Sequence, residues 1–327
     1  MMTHSDTELK DLDDVLSTRD DSGRVVLQAA IIATLYFADA HTTEKREAVV
    51  ECCEYYAQLC GEQLRWAMDP DIGLMAPFRG AKGANPRGFV LAKRQDETYG
   101  IIWSSAEHDR GAGAFYLMCV GLERRPYTHF GYFQVAFPIS WLTQGRESLP
   151  TIIRHLSAKL KPASGYAGIG LVESWDTYIS SEFEPYVYYW AMRFPGLEAE
   201  YPSSHAIWLR KGREGEKEGI KGVNWMTVVG DHLLAELGGV DSVCARIVEI
   251  DARFIVHRYE GGVVIQAGER PVLGDAERGS WPELYVKLSK FLKPIRISEH
   301  RPFQYAGDGE RFDLERSQAW LRRFDDR

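Results

Sequence analysis

Cysteine is scarce in this sequence, and its spacing argues against a metal site. The 327 residues contain five cysteines, an odd number. No pair follows the CxxC or Cys/His spacing that a zinc site needs. We therefore predict buried, free thiols in a reducing compartment, with no zinc bound. The five are Cys52, Cys53, Cys60, Cys119 and Cys244.

Basic side chains are outnumbered by acidic ones. Lys and Arg total 39 against 47 Asp and Glu, which gives a formal net charge of −8. Because binding to nucleic-acid phosphates needs a basic surface, this balance argues against nucleic acid as a direct partner. It is compatible with a basic protein partner.

Long apolar runs and targeting signals are missing as well. The longest apolar run, Val25–Phe37, is too short to cross a bilayer and is interrupted by Gln28. The N-terminus is acidic where a signal peptide would be basic. We therefore predict a cytoplasmic protein with no membrane contact.

The common catalytic motifs are absent from the sequence. It contains no GxSxG, no HExxH, no P-loop and no GxGxxG that follows a strand. The glycine-rich residues 165–170 open no obvious helix, so we predict a tight strand or turn there. Asp231, His232 and Glu236 could form a metal group, but an acidic helix start and an exposed histidine explain them more simply. We predict no catalytic residue, no cofactor and no metal. The alternative is a hydrolase whose site is assembled from distant loops such as 80–88 and 275–279.

An internal similarity is the most informative feature that is present. Residues 150–162 (PTIIRHLSAKLKP) align without a gap on residues 282–294 (PELYVKLSKFLKP), with six of thirteen positions identical. The same register places the apolar residues 133–136 opposite 265–268. Each copy predicts a strand, a loop and a helix bounded by prolines, which favour helix starts and cannot continue a helix.

The whole sequence predicts a single α+β domain with mixed or antiparallel sheets and packed helices. Residues 1–24 are expected to be flexible, and the domain spans 25–327. Two degenerate pseudo-repeated halves cover about 25–164 and 165–300, and a charged helix covers 311–324. Propensity and capping predict further strands and helices. The strands are 25–37, 98–104, 114–122, 129–137, 204–209, 251–257 and 262–267; the helices are 44–68 and 224–237, and 211–221 is a solvated loop.

Residues 173–201 have the most unusual composition in the chain. They contain six acidic residues, one basic residue and nine aromatic residues. Aromatic anchors among carboxylates suit a surface that binds a basic protein, since the rings supply contact area and the charges steer the encounter. An alternative is that the alternating aromatics form a strand packed on both faces. The predicted partner-binding residues are Asp176, Tyr178, Glu182, Glu184, Tyr186, Glu198 and Glu200.

Four strings of the sequence carry a family resemblance. They are WAMRFPGLE (190–198), GVNWMTVVG (222–230), QAGERPVLGD (266–275) and WLRRFD (320–325). Together they resemble the type VI secretion immunity-protein family, from about residue 25 to the C-terminus. Members of that family neutralise a cognate toxin encoded by an adjacent gene, and some of those toxins are nucleases. The glycines and prolines of these strings are expected to preserve the fold rather than contact the toxin.

The resemblance implies a cytoplasmic, non-catalytic inhibitor that binds an antibacterial effector toxin. We expect it to occlude the active or substrate-binding site of the toxin through acidic and aromatic residues of 176–200. Two alternatives are the hydrolase described above and a homodimeric structural protein whose aromatic segment is a self-interface.

Overall fold

The computed structural model describes residues 12, 15–124, 130–209, 218–304 and 309–327. Within these residues, eleven strands form one sheet in which every pair of neighbouring strands is antiparallel. The strands are β1 (Thr18–Arg19), β2 (Val25–Phe37), β3 (Trp66–Met68), β4 (Met75–Pro77), β5 (Tyr99–Ser104), β6 (Tyr116–Gly121), β7 (Gly131–Phe137), β8 (Ser164–Glu173), β9 (Met226–Gly230), β10 (Phe254–Tyr259) and β11 (Gly262–Ala267). Their order in the sheet is β10-β11-β9-β8-β2-β7-β6-β5-β3-β4, and β1 pairs with β2.

Ten α-helices accompany the sheet in the described parts of the chain. The α+β prediction is therefore confirmed. The helices are α1 (Thr43–Cys60), α2 (Pro86–Val90), α3 (Trp141–Gln144), α4 (Leu149–Leu160), α5 (Thr177–Arg193), α6 (Pro202–Trp208), α7 (Asp231–Glu236), α8 (Val240–Ile250), α9 (Glu283–Leu292) and α10 (Leu314–Leu321).

Strand β2 lies at the centre of the sheet and is buried on both faces. Because side chains alternate along a strand, its residues divide between two cores. Leu27, Ile31 and Leu35 belong to the main core, which also includes buried residues of α1 and α4. Ile32 and Tyr36 belong to two smaller clusters on the opposite face, one of which is covered by α6. The predicted strand at residues 25–37 is therefore confirmed.

One predicted helix is too long, and two further predicted elements are wrong. The helix expected at 44–68 ends at Cys60 and is followed by a 3₁₀ turn and β3. Residues 224–237 form β9 and then α7, because the β-branched Thr227, Val228 and Val229 pair with β8 and β11. Residues 204–209 are not a strand but lie mainly in α6, which begins at Pro202, a residue favoured at the first helical position.

The other predicted elements correspond to observed ones. The hairpin of β10 and β11 turns at Glu260 and Gly261, and the C-terminal helix lies within 311–324. Most of the loop predicted at 211–221 lies outside the described residues, as do residues 1–11. Ordered structure begins before residue 25, since Leu16 is fully buried and β1 pairs with β2. All five cysteines are free thiols, and only Cys244 is not fully buried.

The two similar segments lie in comparable positions of the sheet. Strand β7 lies between β2 and β6, and β11 lies between β9 and β10. Helices α4 and α9 follow these strands in the two segments. This arrangement is compatible with a duplicated unit, and the duplication stays a prediction. No helix in the described parts of the chain is long and apolar enough to cross a membrane.

Candidate partner-binding surface

One face of α5 carries a row of exposed aromatic side chains. Tyr178, Glu182, Tyr186 and Tyr189 follow at intervals of four, four and three residues, which places them on one side of the helix. Tyr178 is 86% exposed, Tyr186 is 50% exposed and Tyr189 is 49% exposed. Met192 ends the row at 43% exposure, and Glu182 is also exposed. We call these five residues the α5 stripe. Large apolar side chains grouped on a surface mark an interaction site.

The opposite face of α5 packs against the body of the protein. Val187 and Ala191 are buried, and the ring of Tyr188 meets that of Phe312 edge-on at 5.1 Å between centroids. The aromatic residues of this segment therefore divide between the core and the surface. The strand proposed as an alternative for them is wrong, because the segment is helical.

Asp176 has a structural role at the start of α5. Its Oδ1 accepts a hydrogen bond of 3.0 Å from the backbone N–H of Tyr178, and Asp176 is the N-cap of the helix. Its Oδ2 lies 3.5 Å from Nη1 of Arg110. Both contacts fix the helix start, so Asp176 is committed to the fold rather than free for a partner.

Glu184 is also committed to an internal contact. Its Oε2 accepts a hydrogen bond of 3.1 Å from Nη1 of Arg311, and both side chains are mostly buried. Burial raises the pKa of Glu184, and the charge of Arg311 opposes that rise. Glu184 therefore belongs to the packed face of α5 and not to the stripe.

Glu198 and Glu200, two further predicted contact residues, lie in a buried polar network. Nζ of Lys221 donates a hydrogen bond of 2.5 Å to Oε1 of Glu198 and lies 3.7 Å from Oε2 of Glu200. Asn224 donates to the second oxygen of Glu198 at 2.7 Å, and the Tyr36 hydroxyl donates to Oε1 of Glu200 at 2.9 Å. Glu198 is only 2% exposed and its carboxylate is held by these internal contacts, so we do not include it in the candidate surface. The sequence could not show that these carboxylates are buried with Lys221, because Lys221 ends a charged segment that is typical of a solvated loop.

A cavity of about 420 Å³ opens beside the first turn of α5. Its floor is the sheet face that carries Ile32, Met118 and Val172. One wall is formed by residues 173–180 and the other by residues 200–207, with Phe303 contributing from the C-terminal part. We call it the α5–α6 cavity.

The α5–α6 cavity is acidic and otherwise mostly apolar. Its lining includes Glu173 and Glu200, and no Lys, Arg or His side chain is among the lining residues that the structure describes. Burial, together with the charge of Glu184, raises the pKa of Glu173 to about 8, and a hydrogen bond from Tyr201 opposes the rise. The Glu173 carboxyl is therefore mostly protonated at neutral pH.

The stripe and the cavity contain residues that were not among the predicted ones. Tyr189 and Met192 belong to the stripe, and Glu173 lines the cavity. The helical spacing of the exposed rings could have identified the stripe residues. Nothing in the sequence shows that Glu173 faces an apolar cavity, because the lining comes from distant segments.

The side chains and loops named for the metal and hydrolase alternatives make contacts within the protein. No cluster of three or more metal-ligating side chains occurs among the residues described. Nε2 of His232 lies 2.7 Å from Oε1 of Glu218, which raises the pKa of His232. The loop at 275–279 packs against the end of α5 through Arg193, whereas the loop at 80–88 packs against β5 through a hydrogen bond from Trp103 to Gly83.

The four strings that carry the family resemblance meet in the interior. Nε of Arg323 donates to the Pro195 carbonyl at 2.7 Å, and its Nη2 donates to the Val223 carbonyl at 3.4 Å. Nε1 of Trp225 donates to the Gly268 carbonyl at 3.0 Å. These hydrogen bonds connect all four strings. The strings are therefore explained by their contacts within the fold.

Comparisons with known proteins give the family. No curated protein sequence matches the chain. The solved structure of the Pseudomonas aeruginosa T6SS protein PA0821 is similar, with a TM-score of 0.83 and 25% identity, covering 97% of this chain and 90% of that chain. The family model TsiV, described as type VI immunity for VRR-NUC, matches residues 48–324. The chain belongs to this family of type VI immunity proteins.

Proposed function

We propose that this protein neutralises a VRR-NUC nuclease toxin by binding it through the α5 stripe, without catalysis of its own. The family is one of immunity against such a nuclease. We infer the position of the interface from the exposure of Tyr178, Tyr186 and Tyr189 on one helix face. Tyrosines of this kind supply much of the binding energy at protein interfaces.

Charge supports a competition with the substrate of the toxin. A nuclease must present positive charge to the phosphates of its nucleic acid. This protein has a net charge of −8, and Glu182 places a carboxylate between exposed rings of the stripe. Complementary charge steers association and fixes orientation. We therefore expect the stripe to cover the basic substrate-binding surface of the nuclease, in the cytoplasm where nucleic acid is present.

A triple variant of the stripe tests this proposal. Tyr178→Ala, Glu182→Lys and Tyr186→Ala together should raise the dissociation constant of the complex about 100-fold, since loss of about 2.7 kcal/mol corresponds to that factor. The measurement is calorimetric titration with the VRR-NUC nuclease encoded next to the gene of this protein. Glu184 is left unchanged because its substitution would break the ion pair with Arg311.

Helix α8 provides the matched control. Val248→Ala, Glu249→Lys and Ile250→Ala make the same kinds of change at three exposed positions, on a helix that contacts β10. This variant should bind the nuclease within threefold of the wild type. Equal binding by both variants would place the interface elsewhere. If the α5 variant instead loses a homodimer in sedimentation while nuclease binding is unchanged, the stripe is a self-interface.

A further inference from the structure

The α5–α6 cavity adjoins the α5 stripe. Thr177 and Ser180 line the cavity, and Tyr178 between them is the most exposed large side chain of the stripe. Across the opening, Ile207 of α6 lines the cavity and is 41% exposed. A protein bound on the first turns of α5 would therefore face the mouth of this cavity.

The polar groups of the cavity are suited to a cation. Glu200 is 7% exposed, and its Oε2 has no hydrogen-bond partner among the described residues, although Nζ of Lys221 lies 3.7 Å away. Glu173 has no ion pair within the described parts of the chain. Glu173 is partly exposed, and a carboxyl in a mostly apolar cavity without a cation is costly to ionise, so a positively charged group that reaches it would gain a partner.

We propose that the α5–α6 cavity receives an arginine side chain of the bound nuclease, with the Glu173 carboxylate as its ionic partner. This inference rests on the proposed function, because it names a contact within that complex. The apolar floor suits the aliphatic stem of arginine, and the rings of Tyr116, Trp175 and Tyr201 in the lining suit a planar cation. Arginine is preferred over lysine because its guanidinium is less strongly hydrated and binds a carboxylate with two parallel hydrogen bonds.

Binding of this arginine would be coupled to loss of a proton. Glu173 is mostly protonated in the free protein below pH 8 because its pKa is raised to about 8. A guanidinium beside it favours the carboxylate and lowers that pKa, so the Glu173 proton leaves to solvent when the complex forms. The affinity should therefore increase about tenfold per pH unit from pH 6 to pH 8 and then level off.

Other titratable groups near Glu173 reduce the dependence of affinity on pH but do not reverse it. Glu184 faces it from α5, and that carboxylate is paired with Arg311. Tyr201 and Tyr116 also face it, and burial holds the pKa of each hydroxyl well above its usual value, so neither titrates between pH 6 and pH 8. Glu200 is accompanied by Lys221.

The test is Glu173→Gln, which keeps the shape of the side chain and removes its charge. Calorimetric titration with the same nuclease, in buffers of different ionisation enthalpy at pH 7, counts the protons released. The wild type should release close to one more proton than the variant. The variant should bind at least tenfold more weakly at pH 8 and should lose the dependence on pH. Glu249→Gln on α8 is the matched control and should behave as the wild type.

Two further experiments test whether the cavity is occupied and which nuclease residue occupies it. Ser180→Phe, which fills the cavity and leaves Glu173 intact, should also weaken binding, and melting curves at pH 8 confirm that each variant is folded. Arginines on the nuclease are then exchanged singly for glutamine. One of these changes should weaken binding in the wild type and have no added effect in Glu173→Gln.

The outcomes separate this inference from the proposed function. If Glu173→Gln binds with the same affinity and the same proton release as the wild type while the stripe variant binds weakly, the cavity is empty in the complex and the inference is wrong. The inference would also be wrong if the nuclease residue whose effect depends on Glu173 were a lysine instead of an arginine. If no complex forms with folded wild-type protein, the proposed function itself fails.

Discussion

Lys221 connects two acidic residues that the sequence gives no reason to associate with it. It ends a segment of alternating charge and glycine, which is typical of a solvated loop. In the structure it is 3% exposed, and its ammonium lies 3.9 Å from the centre of the Tyr166 ring. The carboxylates that make burial tolerable come from residues 198 and 200. The burial of Lys221 depends on tertiary contacts between separate segments, so local composition could not predict it.

Loss of the Lys221 charge should strongly destabilise the protein. Lys221→Met leaves Glu198 and Glu200 buried without their cation, so the free energy of unfolding should fall by about 3–5 kcal/mol. Urea denaturation measures this change. Lys159→Met, which removes the exposed pair with Glu51, is the matched control and should cost less than about 1 kcal/mol. Equal losses for the two variants would contradict the structural role of Lys221.

At the scale of the element, α5 shows which local sequence signals agree with the secondary structure that forms. Its alternating aromatic residues suggested a strand, since aromatic residues are frequent in strands. The N-cap Asp176 and the four-residue spacing of exposed side chains were also present, and the helix forms. In β9 the opposite occurred, because a β-branched run pairs within the sheet although a capping pattern suggested a helix. Strand β2 and the start of α1 were predicted from the sequence and are found in the structure.

The capping role of Asp176 can be separated from a role in binding. Asp176→Ala should lower the free energy of unfolding by about 1 kcal/mol, because the N–H of Tyr178 loses its acceptor. Asp176→Ser supplies another capping oxygen and should retain most of that stability. Both variants should bind the nuclease with nearly the wild-type affinity once folded. A serine variant that is stable but binds tenfold more weakly would instead make Asp176 a contact residue.

At the scale of the whole molecule, one antiparallel sheet supports both candidate features. The main core lies on the face covered by α1 and α4. The other face is covered in part by α6, and the cavity lies on that face beside the first turn of α5. The sequence predicted the α+β class and the acidic-aromatic segment. It could not predict the cavity, because the lining residues are far apart in the chain and converge only through the sheet order.

The central claim is that this protein neutralises a VRR-NUC nuclease by binding through the α5 stripe. The most direct measurement follows cleavage of nucleic acid by the purified nuclease as this protein is added. We predict that one molar equivalent of the wild type, at concentrations above the dissociation constant, stops cleavage. The α8 control variant should do the same, and the α5 stripe variant should leave cleavage largely intact at that concentration. Full cleavage in the presence of excess folded wild type, or equal inhibition by the stripe variant, would contradict the claim.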